Sequence, residues 1–223
     1  MRESNSAVAE RVEDHGPLAH QFNNLEQQRE ADELGMWLFL VTEIMFFGGL
    51  FLAYIVYRLA DEKAFVQGSH HLDLTLGTIN TGVLLLSSLL MALAVRAAEH
   101  SRRGALIGLL LGTIILGSAF LGIKFYEYFH KYEEQLVPGM AAYQALPRPH
   151  EKIFINLYFV MTGVHAVHMI IGIAVLSTMT TIAARGGLTG SRSTPVHVAG
   201  LYWHFVDIVW VYLFPFLYLV GAR

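Results

Sequence analysis

The sequence predicts an all-α integral membrane protein, a bundle of five transmembrane helices. Three observations carry that expectation. Of 223 residues 54% are apolar and 15% charged, a balance outside the soluble range. The apolar residues gather into five runs, at 35–58, 74–98, 104–130, 153–184 and 195–221, each at or beyond the ~20 residues that a membrane crossing needs. No internal repeat relates the runs, which disfavours an inverted-repeat transporter. The net charge of −3 excludes a nucleic-acid partner. The absence of cysteine excludes disulfides, iron–sulfur clusters and thiolate metal sites.

Residues 1–34 form an acidic N-terminal segment with eight acids and three arginines. They lack the basic start and short apolar core of a signal peptide. Leu18, Phe22 and Leu25 could line one face of a short surface helix. The membrane domain is expected over 35–223. Its first run, GMWLFLVTEIMFFGGLFLAYIVYR, contains Glu43. At ~1.5 Å per residue this acid lies roughly 12 Å below Gly35, inside the hydrocarbon, where a charge costs on the order of 2.5 kcal/mol or much more. It is expected to be neutral, paired, or turned toward other helices. Gly49 and Ala53 offer a small-residue face for a neighbouring backbone.

The second run carries Asn80 and Ser87, seven apart on one face and suited to interhelical hydrogen bonds. The third opens with Gly104, Gly108 and Gly112, two GxxxG steps that predict a flat contact ridge. It ends in Lys124, Glu127 and Lys131, expected as a structural rim: Lys124 snorkels to the interface and Glu127 pairs with Lys131 at i,i+4. The connection at 131–152 holds three prolines. In the fourth run His165 and His168 stand three apart, a spacing that could ligate a metal with a third group; hydrogen bonding to a neighbouring helix is the expectation instead. The fifth run, LYWHFVDIVWVYLFPFLYL, places His204 and Asp207 three apart, where their side chains could meet, beside Trp203 and Trp210. Pro215 permits a bend. Asp207 lies roughly 18 Å along the run by helical rise. Glu43, Ser87, His165, His168 and Asp207 therefore share a mid-membrane polar layer, to which Asn80 and His204 belong.

Arginine and lysine in the short loops set orientation. With the N-terminus inside, eight fall on the inner side and six on the outer, and the cluster Arg96, Arg102 and Arg103 supports an inside N-terminus and an outside C-terminus.

The motifs together resemble subunit III of the haem–copper respiratory oxidases. YWHFVDIVW is similar to that family's tryptophan–histidine–aspartate signature, carried here by Trp203, His204, Asp207 and Trp210. TGVHAVHMIIG resembles its glycine-framed histidine pair, and FLVTEIMFFGGLF the helix with its carbodiimide-reactive glutamate, here Glu43. INTGVLLLSS and KFYEYF fit the intervening helices, so the resemblance covers about residues 33–221 in order. It implies the five-helix bacterial form, with a neighbouring subunit supplying the two helices that larger members add. It departs at His197, where the family often has an acid, so a role tied to that acid does not carry over.

The resemblance implies an accessory subunit of cytochrome c oxidase type, not catalytic alone. It would flank subunit I in a bacterial inner membrane, with subunit II and a small subunit IV as further partners. Haem and copper would reside in the partners, none in this chain. It would bind phospholipid and support proton uptake and translocation in aerobic respiration, within a larger respiratory supercomplex. Subunit III of a quinol oxidase and the related accessory subunit of nitric oxide reductase are alternatives. A proton or ion transporter is the alternative of a different class.

Overall fold

The computed structural model describes residues 25–190 and 193–221. Seven helices occur among them: α1 (Leu25–Ala60), α2 (Glu62–Ser69), α3 (Leu74–Glu99), α4 (Arg103–Glu133), α5 (Ala141–Ala145), α6 (Pro149–Ala184) and α7 (Thr194–Tyr218). Five of these, all but α2 and α5, are long and apolar enough to cross a membrane, and no strand occurs among the described residues. The fold is the all-α membrane bundle that the apolar runs predict.

Helix α1 begins at Leu25, so residues 25–34 continue the first membrane helix across the boundary drawn at 34. Leu18 and Phe22 of the expected surface stripe, and the side chain of Leu25, lie outside the described residues. Two short helices occupy what reads in sequence as connection. Asp61 starts α2 by accepting from the Ala64 amide at 3.1 Å, the usual stabilising contact of an N-cap carboxylate. Asp73 caps α3 through the amides of Thr75 and Leu76. Pro149 in the first turn of α6 has a preset φ and no donor to leave unpaired.

Turns on both sides of the membrane are tight. Ser101 at φ 54° closes α3, with the Arg102 amide reaching back to the Ala97 carbonyl at 2.9 Å. Gln135 at φ 57° does the same for α4 through Leu136 and Lys131. Each satisfies carbonyls that a helix end leaves open. The C-terminal carbonyls of α6 instead accept from the Arg103 guanidinium, at Ala183 (2.9 Å) and Ala184. That contact ties the start of α4 to the end of α6.

Packing gives a ring of four helices: α3 against α4, α4 against α6, α6 against α7, and α7 against α3. Helix α1 lies outside the ring, in the groove between α6 and α7. Its inward seam is Met36, Leu40, Glu43, Phe47, Leu50 and Tyr54, an alternation of four and three that keeps one stripe facing a partner helix. The Gly49 side of α1 meets nothing within 4 Å of an added Cβ. Trp203 fills the ring: a Cβ at Gly117 of α4 would stand 2.7 Å from its indole, and one at Gly172 of α6 2.9 Å. Its Nε1 donates to Ser87 of α3 at 3.0 Å. The predicted ridge on α4 is only partly used. Gly112 packs under Leu90, while Gly104 and Gly108 have nothing within 4 Å.

Candidate functional site

The structure places Glu43, Ser87, His165, His168 and Asp207 near the midpoints of their helices. Glu43 Oε2 lies 3.1 Å from His168 Nε2, with their side chains 19% and 15% exposed. The other ring nitrogen, Nδ1, is 2.9 Å from the Val164 carbonyl. A carbonyl only accepts, so Nδ1 carries a hydrogen. Nε2 then either accepts the Glu43 hydroxyl or, in a doubly protonated ring, donates to the carboxylate. Both arrangements are neutral overall, which is what the hydrocarbon demands. Phe47 packs edge-on against the His168 ring at 5.2 Å, and Tyr202 OH donates to the His168 carbonyl at 3.0 Å. The pair thus pins α1 to α6, with α7 alongside.

His165 does not behave as its neighbour does. It is 1% exposed, and neither ring nitrogen has a hydrogen-bond partner among the described residues. The ring instead sits against Phe120 at 5.5 Å and Trp210 at 5.2 Å. The expected bond to a neighbouring helix is therefore absent at His165, because the facing side chains of α4 and α7 there are aromatic. His204 and Asp207 also part company. His204 Nδ1 meets Ser88 Oγ of α3 at 2.8 Å, while both Asp207 oxygens are buried without a partner among the described residues. Asn80, wholly buried, donates to the Phe120 carbonyl at 3.4 Å and leaves its own oxygen unpaired. Trp210 Nε1 donates to Thr81 at 3.0 Å.

The largest correction concerns Lys124 and Glu127. Lys124 does not snorkel; it is 4% exposed and Glu127 3%. Its ammonium reaches Glu127 at 2.9 Å, Tyr218 OH at 2.8 Å and Tyr158 OH at 3.3 Å. Four rings surround it, those of Tyr128, Tyr158, Trp210 and Tyr218, at 5.1–5.6 Å. Glu127 also accepts from Tyr158 at 2.9 Å and Tyr218 at 2.7 Å. A buried charge pair is tolerable where geometry and further hydrogen bonds repay its desolvation, and here the repayment comes from α6 and α7. Lys131 accordingly pairs with Glu134 at 2.6 Å rather than with Glu127. Sequence offered one signal, a lysine and an acid three apart inside an apolar run with tyrosine-rich partners.

Two surfaces flank these groups. An apolar cleft of about 600 Å³ opens between α1 and α7, with Trp37, Ile44, Gly48, Phe205, Ile208 and Tyr212 in its walls, and His204 and the Tyr212 phenol are its ionisable members. At the end of the bundle where the α3–α4 turn lies, His197 shares a polar recess with Arg29, Glu33 and Glu99. Acids from α1 and α3 therefore face the position where the resembled family often carries its own.

A family model for cytochrome c oxidase subunit III matches residues 25–222. The chain belongs to that family. As a subunit III it is a multi-pass membrane protein and an accessory part of a haem–copper oxidase complex. Among its relatives, the cytochrome bo(3) ubiquinol oxidase subunit 3 of Pseudomonas aeruginosa is 29% identical, over 98% of this chain and 99% of that one. A probable quinol oxidase subunit 3 of Staphylococcus haemolyticus is 25% identical over 92% of this chain and 98% of its own length. One of Staphylococcus aureus is 26% identical over the same shares.

Proposed function

We propose that this subunit III carries no redox centre and serves a proton-pumping terminal oxidase by flanking subunit I and holding lipid at their boundary. The apolar cleft between α1 and α7 is the observation that carries the reading. A cavity of about 600 Å³ is in the range that binds small apolar molecules, and acyl chains are what surround a membrane helix pair. The exposed face of α1 supports a neighbouring subunit as the cleft's outer wall, since only 17% of its most apolar stretch is covered within the chain. In this reading the inner side receives the N-terminus and the α3–α4 turn, and the membrane is the bacterial inner membrane. Contacts with subunit II, subunit IV and a larger respiratory assembly complete the partner set. Glu43 is its functional acid, reactive toward apolar carbodiimides through the lipid-facing part of its side chain.

The electron donor has two readings. Cytochrome c follows from the motif resemblance. Quinol is favoured by one specific observation, that the Pseudomonas and Staphylococcus relatives are named as quinol oxidase subunits. Purification in mild detergent, followed by oxygen-consumption assays with reduced cytochrome c and with quinol, separates them. We expect haem and copper to travel with the chain. A chain that never co-purifies with a haem–copper subunit overturns the reading, and loss of phospholipid on Gly48→Phe tests the cleft.

A further inference from the structure

The ring of α3, α4, α6 and α7 is polar in one half and apolar in the other. From Trp203 toward the α3–α4 turn its interior is closed by Met91, Ala98, Leu106, Leu110, Leu176 and Val196, each 1% exposed or less. Trp203 itself is wedged between Gly117 and Gly172. The buried hydroxyl in that half, Thr113, is spent on the Leu109 carbonyl of its own helix at 3.0 Å.

The other half differs. Asn80 Oδ1, both nitrogens of His165 and both oxygens of Asp207 have no hydrogen-bond partner among the described residues, although the three side chains are 0–3% exposed. Buried polar groups in folded proteins are supplied by protein or by ordered water, and these three come from three different helices of the ring. They adjoin one another through shared neighbours. The Phe120 carbonyl accepts from Asn80, and the Phe120 ring lies 5.5 Å from His165 and 4.8 Å from Trp210. Asp207 sits one turn before Trp210, on the same helix face. Asp207 stands on α7 between His204, which bonds Ser88 of α3, and Trp210, whose ring faces His165 of α6 and Lys124 of α4.

From this core the polar groups continue outward. Lys124 stands 5.1 Å from the Trp210 ring, which His165 meets at 5.2 Å. Glu127, bonded to Lys124, is also a wall of a polar recess of about 360 Å³ beneath the α2–α3 connection, beside His70, His71, His130, Lys131 and Glu134. One carboxylate therefore belongs both to the buried cluster and to the solvent-facing recess.

We propose that ordered water bridges Asn80, His165 and Asp207, and that the polar half of the ring is a proton-exchange shaft open only at the α2 end. Asp207 gives its carboxyl proton to this water, successive hops through water past His165 and Lys124 carry one proton to the Glu127 carboxylate, and Glu127 releases it to water in the recess. The return follows the same bonds in reverse, and no charge is left behind after a full exchange. The Trp203 layer closes the opposite end. This inference does not depend on which donor feeds the oxidase, and co-purification of the complex tests the functional reading separately.

Infrared spectroscopy of the intact oxidase complex transferred to D2O tests it. The carbonyl stretch that disappears in Asp207→Asn identifies the protonated acid. Its deuteration is timed in complexes carrying His130→Cys, at the mouth of the recess where the side chain is 57% exposed, before and after a bulky maleimide is attached. The chain has no cysteine of its own, and complexes without the substitution control for thiols of other subunits. We expect the label to slow exchange on the order of tenfold or more, as closure of an opening route does. The same label at Arg102→Cys, at the opposite end, is expected to leave the rate unchanged. Glu127→Gln is a second arm and also slows exchange. Equal effects of the two labels, no effect of either, or the absence of any Asp207-dependent carbonyl band each overturn the proposal.

Discussion

At Glu43 the hydrogen bond from His168 Nδ1 to Val164 fixes what the other nitrogen can do, and so fixes which substitutions the pair tolerates. A glutamine amide can donate to a neutral Nε2, so Glu43→Gln should assemble normally while abolishing carbodiimide labelling, read by peptide mapping. Glu43→Leu leaves that nitrogen unpaired and should destabilise by about 1–3 kcal/mol, read as a lower denaturation midpoint of the complex. Label mapped to Asp207 or Glu127 would count against Glu43. Lys124 gives the sharper test. Glu127→Leu strands a buried ammonium and should cost about 3–5 kcal/mol, whereas Lys124→Met with Glu127→Gln removes both charges and should recover most of that loss. A double variant as unstable as the single would show that the pair is not what holds this end together. In sequence Lys124 reads as a snorkelling cation because its position near a run's end permits it. Its true partners, Tyr158 and Tyr218, lie 34 and 94 residues away, beyond any local pattern. Glu43 was legible because burial of an acid in a long apolar run leaves few alternatives.

Among the helices, glycine placement decides which contacts are rigid. An alanine at Gly117 or Gly172 would drive a methyl to 2.7 or 2.9 Å from the Trp203 indole. Each change should destabilise the chain by about 1–3 kcal/mol through overpacking. Gly108→Ala, with nothing within 4 Å, should stay within about 0.5 kcal/mol. Thermal unfolding followed by near-ultraviolet circular dichroism compares them. The opposite ranking would mean that the α4 ridge is the working contact. The five membrane helices were legible from apolar run length alone, as were the starts of α3, α4 and α7 to within a residue. Polar extensions were not: residues 25–34 of α1 and 149–152 of α6 are helical without being apolar. Helix α2 hides in a polar connection, marked only by Asp61 as its cap.

For the molecule as a whole, five crossings are expected to put the start of α1 and the end of α7 on opposite faces, with the loop charges choosing which. A thiol introduced by Arg102→Cys should react from the cytoplasmic side and one by Glu133→Cys from the outer side, both positions being exposed. An impermeant reagent applied to oriented vesicles reads this directly, and the reverse pattern overturns the orientation. The four-helix ring with α1 laid outside it was not legible, because hydropathy counts crossings without saying which are central. Helix α7 is 56% covered over its most apolar stretch and α1 17%. A heptad seam on α1 of only one stripe was the available clue, since a helix that buries one narrow face has neighbours on one side.

The three tryptophans divide along the same line. Trp203 and Trp210 are wholly enclosed, while Trp37 is 55% exposed and forms a wall of the cleft. Fluorescence from the separately purified chain therefore contains one component that brominated acyl chains can quench and two that they cannot. The quenchable fraction is a built-in gauge of cleft occupancy, readable without any attached dye.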